Sequence, residues 1–242
     1  MSTYAWVDLG AVLFPLLFTF HPRLRFHERW RSIAIALLVV SGLFIPWDAL
    51  FTHAGVWGFS PDHVWASRFA GLPLEEWLFF LCIPYACLFT YHCFAVLGVK
   101  DRIAPHARTI SAVVVVALLI IGCWNWQRAY TSTAFISCAL WIGFTSFVQR
   151  APWLGRFYFT WSLLLLPFLV VNGLLTGTGV HGEVVWYNDA ENLGIRIFTI
   201  PVEDIFYGML MFGIAVGIHE LVPTDRFNGR LAHPPALDRS SG

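Results

Sequence analysis

Two pairs of adjacent carboxylates stand at the start of long apolar segments. Glu75 and Glu76 lie in "GLPLEEWLFF", and Glu203 and Asp204 lie in "IPVEDIFYG". In both segments a proline stands two residues before the first acid. A positioned carboxyl group can donate a proton, accept one, or stabilise a cation. Because the same spacing occurs twice, we expect the two acid pairs to serve one common purpose.

Two uses of these acids follow from their place at a helix start. Carboxylates in a first turn complement the helix dipole by about 0.3–1 kcal/mol each, which would make them structural caps. An ionisable group inside a membrane span is costly, however, and usually faces the interior of the bundle. Neighbouring helical residues point about 100° apart, so only one acid of each pair can face a partner. We expect Glu75 to lie beside Glu203, with Glu76 and Asp204 tuning the charge.

Polar and aromatic residues near the acid pairs are further candidates for the site. Asp48 follows Pro46, and Asn172 follows Pro167, each near the end of an apolar segment. Aromatic rings attract cations, although they also form the interfacial belt of ordinary membrane proteins. Phe79 and Tyr207 come four residues after the first acid of each pair, on the same helix face. The candidate cation-stabilising and substrate-binding residues are Trp47, Trp77, Phe79, Phe80, Phe206 and Tyr207.

The elements that must position these residues are predicted to be transmembrane helices. Of 242 residues, 57% are hydrophobic and 12% charged, whereas a soluble domain has about 25% charged residues. Crossing the hydrocarbon core takes about 20 apolar residues. The pattern predicts an all-α polytopic membrane protein with seven spans, at about 4–20, 32–51, 76–97, 109–127, 131–149, 157–175 and 202–222.

The basic residues and the doubled motif predict an orientation and an internal repeat. With the N-terminus outside, the inner segments hold twelve Lys and Arg residues and the outer segments three, which is the bias expected of cytoplasmic loops. Two three-helix units joined by one further helix would share an orientation, as parallel repeats about an axis along the membrane normal. The predicted division is a first repeat at 1–97 (helices 1–3), a linker with helix 4 at 98–130, a second repeat at 131–222 (helices 5–7) and a disordered cytoplasmic tail at 223–242.

These motifs resemble the membrane-embedded, non-flavin lycopene cyclases. That family occurs as bacterial heterodimers and as the cyclase domain of fungal fused cyclase–phytoene synthases. The resemblance is carried by "PWD" (46–48), "GVWGF" (55–59), "LPLEEWLFF" (72–80), Asn172, "YN" (187–188) and "IPVEDIFYG" (200–208). Both halves lie in one chain here, as in the fused form.

The resemblance implies an activity and a site. The activity is acid-catalysed, non-redox cyclisation of the linear ends of lycopene to β-rings in carotenoid biosynthesis, giving γ- and β-carotene, by an intramolecular lyase or isomerase. The implied catalytic residues are Glu75, Glu76, Glu203, Asp204, Asp48 and Asn172. By position, we expect Glu75 and Glu203 to be the acid–base pair.

The resemblance also implies the surroundings of the protein. It would be integral to a bacterial inner (plasma) membrane, take lycopene from the bilayer, contact lipids and other carotenoid enzymes, and use no cofactor, metal or nucleic acid. Two other functions stay open. One is a non-catalytic carotenoid- or isoprenoid-binding or transport protein. The other is a membrane prenyltransferase, for which "YNDAEN" (187–192) is the nearest approach to an aspartate-rich motif.

Overall fold

A computed structural model describes residues 2–222, so the tail expected to be disordered lies outside the described residues. The described residues contain seven α-helices and six short β-strands. The helices are α1 (Thr3–Phe18), α2 (Trp30–His53), α3 (Leu74–Val96), α4 (Ala107–Trp124), α5 (Ala129–Gly143), α6 (Leu154–Leu175) and α7 (Val202–Leu221). The strands are β1 (Trp57–Phe59), β2 (Arg68–Phe69), β3 (Leu72–Pro73), β4 (Val185–Tyr187), β5 (Arg196–Ile197) and β6 (Ile200–Pro201).

The helices have the length and composition of membrane spans. Between residues 2 and 222, six of them, α2 to α7 with their flanking turns, are long and apolar enough to cross a bilayer. One π-helical turn, Phe144–Val148, extends α5 to that length. α1 is apolar but has only 16 residues, about 24 Å at 1.5 Å per residue. The protein is therefore a helical membrane protein, and the seventh crossing remains a prediction.

The prolines before the acid pairs set where α3 and α7 begin. Pro73 and Pro201 are the N-cap residues of these helices and have extended backbones, with ψ of 152° and 140°. A proline carries no N–H, so it suits a position where helical hydrogen bonding has not yet started. Both acids of each pair therefore fall in the first helical turn.

A short β-hairpin precedes each of these helices, where the sequence predicted only loops. β2 pairs with β3, and β5 pairs with β6, in the same register relative to the proline of each motif. Ala70 and Phe198 occupy matching places in the two turns, with left-handed φ of 51° and 57°. Strands of two residues show no alternation of polar and apolar residues, and for this reason the sequence gives no sign of them.

A third pair of strands joins the two halves of the chain. β1 and β4 are antiparallel, with Gly58 opposite Trp186 at the centre of the pairing. These two positions are separated by the same offset as the two acid pairs. A Cβ atom built on Gly58 would overlap the ring of Trp186, so only glycine fits against this indole.

Helix packing brings both acid pairs to one end of the bundle. α3 contacts α1, α2, α6 and α7, while α7 also contacts α2 and α5. α4 packs mainly against α5, at the side of this arrangement. The first turn of α7 lies beside the β1–β4 ladder, since Tyr187 of β4 is hydrogen-bonded to Asp204.

Candidate active site

A cavity of about 300 Å³ extends from the first turns of α3 and α7 into the bundle. Four polar side chains singled out in the sequence lie in its wall: Asp48, Glu76, Asn172 and Asp204. Most of the remaining wall is apolar or aromatic, and it contains no Lys or Arg among the described residues. The carboxyl groups in the cavity therefore have no cationic side chain beside them there.

The first acid of each pair is turned away from this cavity. Glu75 and Glu203 are fully buried and do not line it. Each accepts a backbone N–H from the residue ten positions earlier and a hydroxyl group from the start of another helix. The donors are Trp65 N (2.7 Å) and Ser2 Oγ (2.5 Å) for Glu75, and Leu193 N (2.8 Å) and Thr131 Oγ1 (2.6 Å) for Glu203.

These hydrogen bonds correct the expected pairing of Glu75 with Glu203. Each of the two carboxyl groups is bonded within its own half of the chain, and its second oxygen, Oε2, has no hydrogen-bond partner. The physical reason is the direction of helical side chains, which tilt toward the helix N-terminus. The first acid consequently reaches back to the preceding loop, while the second acid, about 100° around the helix, faces the cavity.

Glu76 is held by a tyrosine and by a second carboxyl group. Tyr4 of α1 donates its hydroxyl to Glu76 Oε2 at 2.5 Å. The carboxyl group of Asp48 of α2 lies beside that of Glu76, and Asp48 Oδ1 accepts the indole N–H of Trp57. Asp48 Oδ2 has no hydrogen-bond partner. Two carboxyl groups close together in a buried site tend to share one proton.

Asp204 is held by three neutral donors. Tyr130 of α5 donates its hydroxyl to Oδ1, while Asn172 Nδ2 (2.7 Å) and the Tyr187 hydroxyl (3.0 Å) donate to Oδ2. Desolvation, with Asp204 beside it, raises the pKa of Tyr187 well above its ordinary value, so this phenol keeps its proton. All three hydrogen bonds stabilise the charged form of the Asp204 carboxyl group.

Comparison with protein families identifies the family of this chain. The family model for lycopene cyclases matches residues 1–94 and 127–222. This chain belongs to the lycopene cyclase family. The interval between the matched segments contains α4. Two curated relatives are bifunctional lycopene cyclase/phytoene synthases of fungi. The Neurospora crassa protein is 27% identical over 171 residues, which are 62% of this chain and 27% of that protein.

The second relative matches a shorter part of the chain. The Podospora anserina protein is 27% identical over 79 residues, which are 33% of this chain and 13% of that protein. The chain thus spans about a quarter or less of the length of the curated relatives it matches. No solved structure matches the chain.

The aromatic residues singled out in the sequence separate into two groups. In this family member Phe79 and Tyr207 line the cavity, and the Tyr207 ring lies 6.2 Å from both Trp57 and Tyr130. The other four are not in the cavity wall and pack elsewhere: Trp47 against Phe44 and Tyr207, Trp77 against Phe69, Phe80 against Phe44 and Phe79, and Phe206 against Phe135.

The sequence interpretation missed the tyrosines that hold the carboxyl groups. Tyr4 and Tyr130 are almost completely buried and stand near the starts of α1 and α5. Their position at the same ends of apolar segments as the acid pairs was a usable signal. Asp8 of α1 was missed as well, and both of its buried oxygens lack a hydrogen-bond partner.

The aspartate of "YNDAEN" lies outside the cavity. Asp189 forms an ion pair with Arg196 at 2.6 Å and is largely exposed. The hydrogen bond from Arg196 holds the pKa of Asp189 below its ordinary value. Asp189 therefore has a structural partner in this loop, and nothing at this position favours a prenyltransferase.

Proposed function

We propose that this protein is an enzyme of carotenoid biosynthesis that cyclises the linear ends of lycopene to β-rings. One observation carries the proposal. Glu76 and Asp204, one from each half of the chain, line the same largely apolar cavity but have different hydrogen-bond partners. A proton donor and an anion thus lie in one water-poor site, as cyclisation through a carbocation requires.

The acid in this proposal is the Asp48–Glu76 pair. The two carboxyl groups lie beside each other and are almost completely buried, with 2% and 6% of the residue surfaces exposed. Carboxyl groups so close in a desolvated site share one proton rather than ionise together. Glu76 is the member on α3 with Tyr4 as its other partner, and we assign to it the donation of that proton to the substrate.

Asp204 is the proposed anion. Its three donors, Tyr130, Asn172 and Tyr187, are oriented before any substrate binds. Donors fixed in advance stabilise a negative charge without reorganisation during the reaction. The carboxylate can offset the positive charge of the intermediate, together with the faces of Tyr207 and Phe79, and then remove a proton from the new ring.

The reaction balances without any redox step. Protonation of the terminal carbon–carbon double bond produces a carbocation, and the electrons of a nearby double bond close the ring by forming a carbon–carbon bond. Loss of one ring proton to Asp204 restores a double bond, so the product has the formula of the substrate. Return of that proton to the Asp48–Glu76 pair restores the starting state. The apolar wall keeps out water, which would trap the cation as an alcohol.

In this proposal the acid and base lie one residue beyond those expected from the sequence. Glu75 and Glu203 become structural groups that fix the loop before each helix, since their donors are loop N–H groups and helix-start hydroxyls.

The constant offset between the two hairpins, their turns and the acid pairs supports two parallel repeats at 1–97 and 131–222, with 98–130 as linker. N-out orientation and a bacterial plasma membrane location remain predictions.

The test is pigment analysis of lycopene-accumulating bacterial cells that express the chain. We expect cyclised carotene from the wild type. Glu76→Gln and Asp204→Asn should reduce it by about 10²–10⁴-fold, the usual value of a positioned acid or base. Glu75→Gln and Glu203→Gln are matched isosteric controls one residue away, and we expect them to retain most product, with all proteins quantified in the membrane.

Three results would contradict parts of the proposal. Unchanged lycopene with wild-type protein present in the membrane would reject the cyclase function, and lycopene that copurifies unconverted would favour a binding or transport protein. Full activity of Glu76→Gln beside an inactive Glu75→Gln would return the acid role to Glu75. A ring other than β from the wild type would leave the chemistry intact and correct the ring type.

A further inference from the structure

The cavity described above is smaller than the substrate that we propose for it. Its volume of about 300 Å³ is at the low end of the ~300–1,000 Å³ of pockets that hold drug-sized ligands. A linear carotenoid is a much longer molecule than such a ligand. If the cyclising end occupies the cavity, the remaining chain must pass through an opening in its wall. The inference that follows rests on the proposed function.

One opening is marked by a groove between α1 and α6. The groove has a volume of about 840 Å³ and shares three lining residues with the cavity, Ala11, Pro167 and Val171. It is therefore continuous with the cavity wall. Its other lining residues come mainly from the first two-thirds of α1 and the last half of α6, and all but Thr3 at its edge are apolar.

The groove faces the surface that hydrocarbon would cover. Trp6, Leu166 and Val170 in its wall are exposed by 59%, 72% and 58%. Gly10 stands on the groove side of α1, and a Cβ atom added there would meet no heavy atom within 4 Å. Pro167 lies within α6 at the junction with the cavity. The absence of a side chain at Gly10 leaves free space on the groove side of α1.

We propose that the gap between α1 and α6 is the lateral portal through which the polyene enters from the bilayer. During reaction the end group lies near Glu76 and Asp204, and the unreacted remainder of the chain leaves through the portal and occupies the groove. The largely apolar lining matches a hydrocarbon chain. Lycopene dissolved in the membrane would thus reach the carboxyl groups without crossing water.

Gly10→Trp tests the portal, because the indole would fill the groove without touching the carboxyl groups. Leu9→Trp is the matched control: Leu9 is exposed, lines neither the groove nor the cavity, and points about 100° away on the same helix. In the lycopene-accumulating cells, Gly10→Trp should lower cyclised product by at least about tenfold through exclusion of the ligand. Leu9→Trp should stay within about twofold of wild type, because it leaves the pocket unchanged.

A series of side-chain sizes at position 10 gives a second measurement of cyclised product, which does not depend on a single variant. The loss of product should grow with the size of the side chain at position 10, because a Cβ there meets open space and a larger group fills more of the groove. Gly10→Leu should therefore lie between wild type and Gly10→Trp. Val170→Trp, from the α6 side, should reproduce the loss if Gly10→Trp fails to accumulate. Melting temperatures in detergent should be equal across the folded variants.

The results separate this inference from the function on which it rests. Lack of product from the wild type rejects the function. Product from wild type, Gly10→Trp and Val170→Trp alike rejects the portal and leaves the function standing. Equal losses in Gly10→Trp and Leu9→Trp would also overturn the portal, since they would show that bulk anywhere on α1 is harmful.

Discussion

Glu76 and Asp204 stand at matching positions of the doubled motif and line one cavity, yet Glu76 lies beside a carboxyl group and Asp204 is hydrogen-bonded to an amide. The two halves of the chain therefore bring different chemistry to one site. A second carboxyl group beside Glu76 favours a retained proton, while the neutral donors around Asp204 favour a charge. This asymmetry is the basis of the proposed acid and base roles, which the doubled motif leaves equivalent.

Asp48→Asn tests the carboxyl pair. An amide cannot share the proton of Glu76, so we expect cyclised product to fall by about 10²-fold or more while the protein still accumulates. Asp62→Asn is the control, because Asp62 is an exposed acid in the loop after β1. Pigment analysis at equal protein levels gives the readout, and equal product from Asp48→Asn and Asp62→Asn would remove Asp48 from the proposed acid.

Tyr187→Phe tests the donors around Asp204. The change removes one of three hydrogen bonds to the carboxylate, and one such bond to a charged group contributes about 1.5–3 kcal/mol. We expect turnover in isolated membranes to fall by about tenfold or more, at about 1.4 kcal/mol per factor of ten. Tyr158→Phe deletes a hydroxyl bonded to Ser111 outside the cavity and should leave turnover unchanged. Equal effects of the two changes would contradict the role of Tyr187.

The structural role of Glu203 predicts a difference between two substitutions. Gln keeps a carbonyl oxygen that can accept from both Leu193 N and Thr131 Oγ1, so Glu203→Gln should retain activity and melting temperature. Glu203→Leu leaves both donors unpaired and should lower the free energy of unfolding by about 1–3 kcal/mol. The melting temperature in detergent, together with pigment analysis of cells, distinguishes a structural from a catalytic role for Glu203. An inactive but fully stable Glu203→Gln would show that Glu203 takes part in the reaction.

Gly58→Ala tests whether the β1–β4 ladder positions Asp48. The added methyl group would overlap Trp186, and the adjacent Trp57 donates to Asp48. We expect a lower melting temperature, since overpacking a filled site costs about 1–3 kcal/mol, and reduced product. Gly42→Ala on α2 is the control, because a Cβ there meets no heavy atom within 4 Å. A melting temperature equal to that of Gly42→Ala would show that the ladder tolerates the methyl group.

Much of the fold and the identity of the candidate acids could be predicted from the sequence. Apolar segments of about 20 residues indicate spans without reference to packing, because the hydrocarbon core sets their length. The prolines before Glu75 and Glu203 indicate where two helices begin. The doubled proline–acid spacing is a property of the local sequence, and it pointed to both acid pairs. Together with Asp48 and Asn172, these include the three carboxyl groups and the one amide that line the cavity among the described residues.

Only the tertiary structure decided which acid of each pair faces the cavity and what holds it. Adjacent residues such as Glu75 and Glu76 differ by about 100° around the helix, and the rotation of α3 depends on its packing against α1, α2, α6 and α7. The contacts of Glu76 with Tyr4 and Asp48 join positions far apart in the chain, so no local spacing predicts these contacts. Composition and local pattern act over one or two helical turns, whereas the Asp48–Glu76 contact arises only when separate helices pack together.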